Sequence, residues 1–270
     1  MSDIIDIGIL GADGRMGRAV IQAISHHPQA RVGAAFTAPS SQDLGIDSGL
    51  LAGVSPNSVA LSSDIPAGLD LCDVVIDFST PRAAIDTALA MHGHRATTLV
   101  SGTTGFTPAE DEALLGAAHA LTLLRAGNFS PGVTALAALV ERAAKALDTG
   151  WDIEILDMHH RAKVDAPSGT AILLGEAAAK GRDTDLSSAR IPAREGVTGP
   201  RRAGGIGFAA LRGGGVIGAH EVRIANDLEM LTLSHDAFDR SVFAKGAVSA
   251  AIWAHAQPKG QYSMRDVLGF

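Results

Sequence analysis

Five short apolar runs punctuate the first half of the chain: Ile4 to Leu10, Arg31 to Phe36, Val74 to Phe78, Thr97 to Val100 and Leu121 to Leu124. They are nearly continuous in Val, Ile and Leu and do not alternate strictly with polar residues, the pattern of strands covered on both faces. Segments suited to helices lie between them, among them Arg15 to Ser25 and Ala83 to Met91. Strand and helix therefore alternate, which predicts an α/β domain with a doubly wound parallel sheet.

The pattern changes after Asn128. A long Ala- and Leu-rich helix, Thr134 to Leu147, leads into a strand from Trp151 to Met158, and further strands read from Phe208 to Arg212, Gly218 to Ala225 and Glu229 to His235. The last two meet at Asn226-Asp227, a hairpin signal, while Gly204-Gly205 and Gly213 to Gly215 mark loops. This half predicts a second, α+β domain with an open mixed sheet. The apolar helix Ser241 to Ala256 has no place on that smaller sheet and is expected to pack back on the first domain. The expected division is residues 1–129 with 240–270, and residues 130–239. No internal repeat or low-complexity tract interrupts the chain.

Composition narrows the function classes. With 270 residues and 46% hydrophobic content the chain can fill real cores, and its net charge of −7 without a long basic block argues against a nucleic-acid footprint. Cys72 is the single cysteine, so no disulfide forms within the chain, and a reducing cytoplasm fits. The start MSDIIDIGIL lacks a basic region and a cleavage site, and no apolar stretch approaches the roughly 18 residues of a membrane span. No membrane association is expected.

Directly after the first strand stands Gly11-Ala12-Asp13-Gly14-Arg15-Met16-Gly17, with a helix following. Glycines in that position permit a tight turn, close approach of backbone to a pyrophosphate and close helix-to-strand packing, as in Rossmann-type dinucleotide sites. The acid that reads the adenosine ribose belongs at the end of the second strand, where this chain has Thr37 and Ala38. That leaves the position uncharged and unable to repel a phosphate, and leaves NADH and NADPH both open. Arg15 is the nearest cation in the loop. Two later loops, Ser101-Gly102-Thr103-Thr104-Gly105 and Gly127-Asn128-Phe129-Ser130, are expected at the same sheet edge, with small residues that let a nicotinamide approach the backbone.

The densest chemistry lies between Asp157 and Ala171, DMHHRAKVDAPSGTA. Gly169 and Thr170 open a predicted helix, whose first amides attract an anion, so a carboxylate is the natural guest. Imidazole titrates near neutrality, and His159 or His160 is positioned to deliver a proton to a substrate held by Lys163 and the helix end. Strand parity sets His159 with Ile155 and Asp157, and His160 on the opposite side, a poor chelating pair, so no metal site is expected. His26, His27, His92 and His94 lie near predicted helix ends and are expected to be solvated.

Taken together, GADGRMGR, DFST, SGTTGF, NFSPGV, HHRAKVDAPSGTA, GGIGFAALRGG and YSMRDVLGF resemble the dihydrodipicolinate reductase family along the whole chain. The resemblance implies NADH- or NADPH-dependent reduction of 4-hydroxy-tetrahydrodipicolinate, a small cyclic dicarboxylate, in lysine and diaminopimelate biosynthesis. It implies His159 as proton donor assisted by Lys163, and substrate binding by His160, Gly169 and Thr170. It further implies cofactor contacts from Gly11, Ala12, Asp13, Gly14, Arg15 and Met16, from Gly102, Thr103 and Thr104, and from Ala126, Gly127, Asn128 and Phe129, with Thr37 at the ribose end. A homotetramer built through the smaller domain's sheets is implied as well. The chain departs from the family pattern in three places. Asp157 replaces a usual Glu, Ala162 replaces a frequent third histidine, and Thr37 and Ala38 replace an acidic-basic pair. Two other readings remain in view: a different nicotinamide-dependent oxidoreductase on the same two-domain plan, and a dinucleotide-sensing regulator. The first has no reason to combine His159, Lys163 and Ser168-Gly169-Thr170, and the second should carry a DNA-reading helix or basic patch.

Overall fold

The computed structural model describes residues 4–191 and 193–270. In chain order the elements are β1 (Ile5–Leu10), α1 (Arg15–Ser25), β2 (Ala30–Phe36), α2 (Ser48–Ala52), β3 (Leu61–Ser62), α3 (Ile65–Leu69), β4 (Val74–Asp77), α4 (Pro81–Ala90), β5 (Thr98–Ser101), α5 (Pro108–Ala117), β6 (Thr122–Arg125) and α6 (Pro131–Ala146). They continue with β7 (Asp152–His159), α7 (Gly169–Gly181), α8 (Leu186–Ala189), β8 (Ile206–Arg212), β9 (Gly218–Ala225), β10 (Met230–Ala237), α9 (Ser241–His255), β11 (Gly260–Tyr262) and α10 (Met264–Leu268). The chain divides into two compact units, residues 1–129 with Ser241–Gly269, and Ser130–Arg240 with Phe270. No helix among the described residues is long and apolar enough to cross a membrane.

The first unit is built on a seven-stranded parallel sheet in the order β11-β6-β5-β4-β1-β2-β3. Its continuous apolar runs divide by strand parity between two cores. Ile7, Ile9, Val74, Ile76, Val100 and Leu124 pack with α1 and α9, while Val75, Leu99 and Leu123 pack with α3, α4 and α5. The outermost strands β3 and β11 are two and three residues long, too short to show a pattern of their own, and join through backbone pairing. Helices α4, α5 and α6 begin on a proline preceded by Thr80, Thr107 and Ser130, each accepting a backbone N–H as N-cap. Two helices therefore start earlier than apolar spacing suggests.

The second unit carries a four-stranded sheet in the order β10-β9-β7-β8, with β7 and β8 parallel and the other pairs antiparallel. On one face Ile153, Ile155, Val222 and Ile224 pack against Leu136 and Val140 of α6 and Leu174 of α7. The opposite parity presents Leu156, Met158, Leu211 and Met230, of which Leu211 and Met230 are 51% and 56% exposed. The four histidines expected to be solvated also have hydrogen-bond partners, among them His92, whose Nε2 donates to the Ala117 carbonyl at 2.7 Å, and His94, which pairs with Asp70 at 3.0 Å.

Candidate functional site

In the first unit the glycine turn is fastened to the end of the second strand. The Gly11 and Ala12 amides both donate to the Phe36 carbonyl, at 3.0 and 2.9 Å. Gly11 has φ +82°, and a Cβ on Gly17 would lie 2.2 Å from the Gly11 carbonyl oxygen. Turn and helix can approach this closely only with glycine at both positions. Gly14 caps α1 without a side chain, so the first helical amides, beside the exposed Arg15, remain available to an anion. These features fit a dinucleotide pyrophosphate.

The end of the second strand is not uncharged, as the linear order suggests. The chain turns so that Asp13 lies there, its carboxylate accepting from Ser41 Oγ at 2.8 Å beside the buried Thr37. Burial pushes the Asp13 carboxyl up, but the hydroxyls of Thr37 and Ser41 outweigh it and hold the group below its ordinary value.

The two later loops meet. Ser101, Thr103, Thr104, Ala126 and Gly127 line one open recess of about 370 Å³. Beneath it Asp77, fully buried, accepts from Ser101 Oγ at 2.7 Å and from the Ser79 amide at 2.9 Å. Burial raises the Asp77 pKa in spite of these bonds. Gly102 does not offer its backbone to a ligand on its Cβ side: a Cβ there would lie 2.2 Å from the Phe78 ring and 2.9 Å from that of Phe129. Gly127 has open space instead, with nothing within 4 Å of that position.

In the second unit β7 runs one residue further than its apolar pattern, to His159, which keeps the parity of Ile155 and Asp157. That parity brings His159 Nδ1 to 2.9 Å from Asp157 Oδ1, so the carboxylate fixes the proton on Nδ1 and leaves Nε2 for a substrate. Asp157, 1% exposed, also accepts from Arg212 Nη1 at 2.8 Å and from the Ser168 amide. Ser168 is the N-cap of α7, its hydroxyl accepting from the Ala171 amide at 3.1 Å and lying 3.3 Å from His220 Nε2. The His220 ring meets His159 edge-on, 5.2 Å between centroids. Gly169 is exposed at the helix start, with nothing within 4 Å of a built Cβ, and Thr170 follows at the second helical position. Lys163 Nζ is paired with Asp165 at 2.8 Å. His160 is half-buried and its carbonyl accepts from the Lys163 amide at 3.1 Å.

Electrostatics follows from this packing. Burial pulls the His159 pKa below its ordinary value; Asp157 pushes it up, and the charges of Lys163 and Arg212 push it down again. For His220 burial dominates, and its pKa is pushed down to about 4. Asp157 remains below the ordinary carboxylate range because burial, which raises it, is outweighed by bonds from Ser168, His159 and Arg212. The cluster is thus an ionised carboxylate holding one imidazole, with a second, neutral imidazole packed against it. Arg212 and His220 carry no local sequence signal, since β8 and β9 bring them in from 55 and 52 residues beyond their partners Asp157 and Ser168. The Asp157–His159 pair, in contrast, is visible in the two-residue spacing of a strand.

Comparison with known proteins gives one consistent result. Models of the N-terminal and C-terminal parts of dihydrodipicolinate reductase match residues 5–129 and 132–268. A 4-hydroxy-tetrahydrodipicolinate reductase from Rhodopseudomonas palustris is 51% identical over 269 residues, covering 100% of this chain and 98% of that protein. One from Allorhizobium ampelinum is 49% identical over 262 residues, 97% of each chain. Among solved structures, a dipicolinate-bound dihydrodipicolinate reductase from Paenisporosarcina sp. TG-14 superposes with a TM-score of 0.76 at 25% identity, covering 96% of this chain and 97% of that one.

Proposed function

Because the chain belongs to the dihydrodipicolinate reductase family, we propose that it reduces 4-hydroxy-tetrahydrodipicolinate to tetrahydrodipicolinate for lysine and diaminopimelate biosynthesis, with His159 as proton donor. The observation that carries the proton step is the His159–Asp157 pair beside the exposed start of α7. The first unit holds the nicotinamide dinucleotide, NADH or NADPH, through Gly11, Ala12, Asp13, Gly14, Arg15 and Met16, with Thr37 at the ribose end and the loops Gly102 to Thr104 and Ala126 to Phe129 toward the nicotinamide. When bound, that cofactor supplies the hydride.

The second unit binds the substrate. One carboxylate sits against the Gly169 and Thr170 amides, where the helix end favours negative charge, and Lys163 and His160 complete its surroundings. The solved relative with dipicolinate bound is consistent with a small cyclic dicarboxylate in this role. Loss of the substrate's 4-hydroxyl as water gives the unsaturated ring that is reduced; reduction leaves negative charge spread toward the ring nitrogen, and His159 Nε2 delivers the proton there. Asp157 accepts the hydrogen bond from Nδ1–H throughout and stabilises the imidazolium before transfer. His159 is drawn below its ordinary pKa in the free protein. A dianionic substrate beside it favours the charged imidazole, so binding itself loads the acid.

The reading extends to a cytoplasmic homotetramer whose subunits cover the face of Leu156, Met158, Leu211 and Met230; sedimentation of the wild type and of Leu211→Glu tests this, a smaller particle being expected for the variant. The reductase assignment is tested by supplying the purified protein with the condensation product of pyruvate and aspartate semialdehyde, made in situ. Consumption of NADH or NADPH above a substrate-free control is expected, and its absence defeats the assignment.

A further inference from the structure

We propose that Asp13 is the residue that reads the adenosine ribose, and that it makes this reductase prefer NADH to NADPH. The inference rests on the dinucleotide reading of the first unit given above. In a doubly wound sheet with a glycine turn after the first strand, the adenosine ribose lies beyond the end of the second strand, and an acid there accepts its hydroxyl protons. Here β2 ends at Phe36, and neither it nor Thr37 and Ala38 after it supply one. The Phe36 carbonyl, however, accepts from the Gly11 and Ala12 amides, so the glycine turn is stitched to that strand end and Asp13 is the next residue along it.

The Asp13 carboxylate is fixed from the far side by Ser41 Oγ at 2.8 Å, and Ser41 Oγ in turn accepts from the Asp43 amide at 3.2 Å. Its own chain is held as well: Arg18 Nε donates to the Asp13 carbonyl at 2.9 Å. The same guanidinium reaches Asp43 through Nη2 at 3.3 Å, so the cation nearest this end is engaged by protein oxygens. Arg15 starts α1, where the pyrophosphate is expected, and is not available to both groups at once. Two carboxylates and one committed guanidinium therefore surround the ribose position. A ribose diol brings hydrogen-bond donors to that surface. A 2′-phosphate brings instead about −1.5 to −2 charges and no donor to replace them. The neighbouring hydroxyls outweigh burial and leave Asp13 ionised at neutral pH, which strengthens the discrimination.

The test is equilibrium binding of NADH and of NADPH, followed by nicotinamide fluorescence without substrate, on the wild type, Asp13→Asn and Asp13→Glu. The wild type should bind NADH about tenfold more tightly, a ratio that narrows as salt rises because the repulsion is screened. Asp13→Asn should bring the two affinities close together, chiefly by a gain for NADPH, with little salt dependence of the ratio. Asp13→Glu keeps the charge and should keep the preference. A wild type that binds both equally or favours NADPH overturns the inference, as does a ratio untouched by Asp13→Asn. If neither dinucleotide binds, the reductase reading falls and this inference with it; binding of both with an insensitive ratio removes this inference alone.

Discussion

His159 is the residue on which the chemistry turns, and its neighbours define how it should titrate. As a proton donor it must be protonated in the free enzyme for kcat/KM, so activity should fall as pH rises through its pKa, which lies below the ordinary histidine value. Asp157 acts to raise that pKa; removing its charge as Asp157→Asn should move the descending limb to still lower pH and reduce kcat roughly tenfold or more. A limb that stays in place would assign the titration to another group. His159→Gln should lower kcat by about a hundredfold or more while leaving the dissociation constant for the dinucleotide unchanged, since the residue belongs to the second unit. At the opposite extreme stands Cys72, fully buried with its thiol pushed up to about 12 by burial. Folded protein should therefore resist thiol reagents that modify the cysteine rapidly after unfolding. The basic run and the glycine turn were legible in the sequence because each is local. The place of Asp13 at the end of the second strand was not legible, because only the pairing of the Gly11 and Ala12 amides with the Phe36 carbonyl brings the glycine turn there.

Helix α9 shows how the elements set these positions. Its apolar side chains lie in the core shared with α1 and the sheet, and Gly246 crosses so close to the loop after β6 that a Cβ would lie 1.9 Å from the Phe129 carbonyl oxygen. No bond rotation relieves such a contact with backbone, so Gly246→Ala should destabilise the fold by about 1 to 3 kcal/mol, read from the urea midpoint. Because Phe129 closes the proposed nicotinamide loop, dinucleotide affinity should weaken in the same variant. The strands were legible where burial on both faces left an unbroken apolar run, as at Val74 to Ile76. The edges were not: Gly260–Tyr262 and Leu61–Ser62 form through the partner strands' exposed hydrogen-bonding groups, to which side-chain pattern contributes little. The early starts of α4 and α6 were carried by Thr80-Pro81 and Ser130-Pro131, where a hydroxyl cap and a fixed φ act before any apolar periodicity begins.

For the whole molecule, the buried imidazole of His220 makes stability depend on pH. In the unfolded chain it takes up a proton near 6.5, whereas the folded protein resists until about 4. Between those values the unfolded state binds more protons, so stability is greatest above pH 6.5 and declines as pH falls toward 4, by at most about 3 kcal/mol from this group. His220→Gln should flatten the dependence of the unfolding midpoint across that window; an unchanged slope would place its origin elsewhere.

Ser168 has a wider consequence. Its amide holds the carboxylate that orients His159, while its hydroxyl closes the first turn of α7. On the proposed reading, the part that grips the substrate and the part that protonates it are therefore one rigid fitting, with a fixed span between grip and acid. A positional isomer of the dicarboxylate that seats correctly on the helix presents its nitrogen away from the acid, and one that meets the acid forfeits its seat. Selectivity among such isomers then requires no blocking side chain: the enzyme measures its substrate.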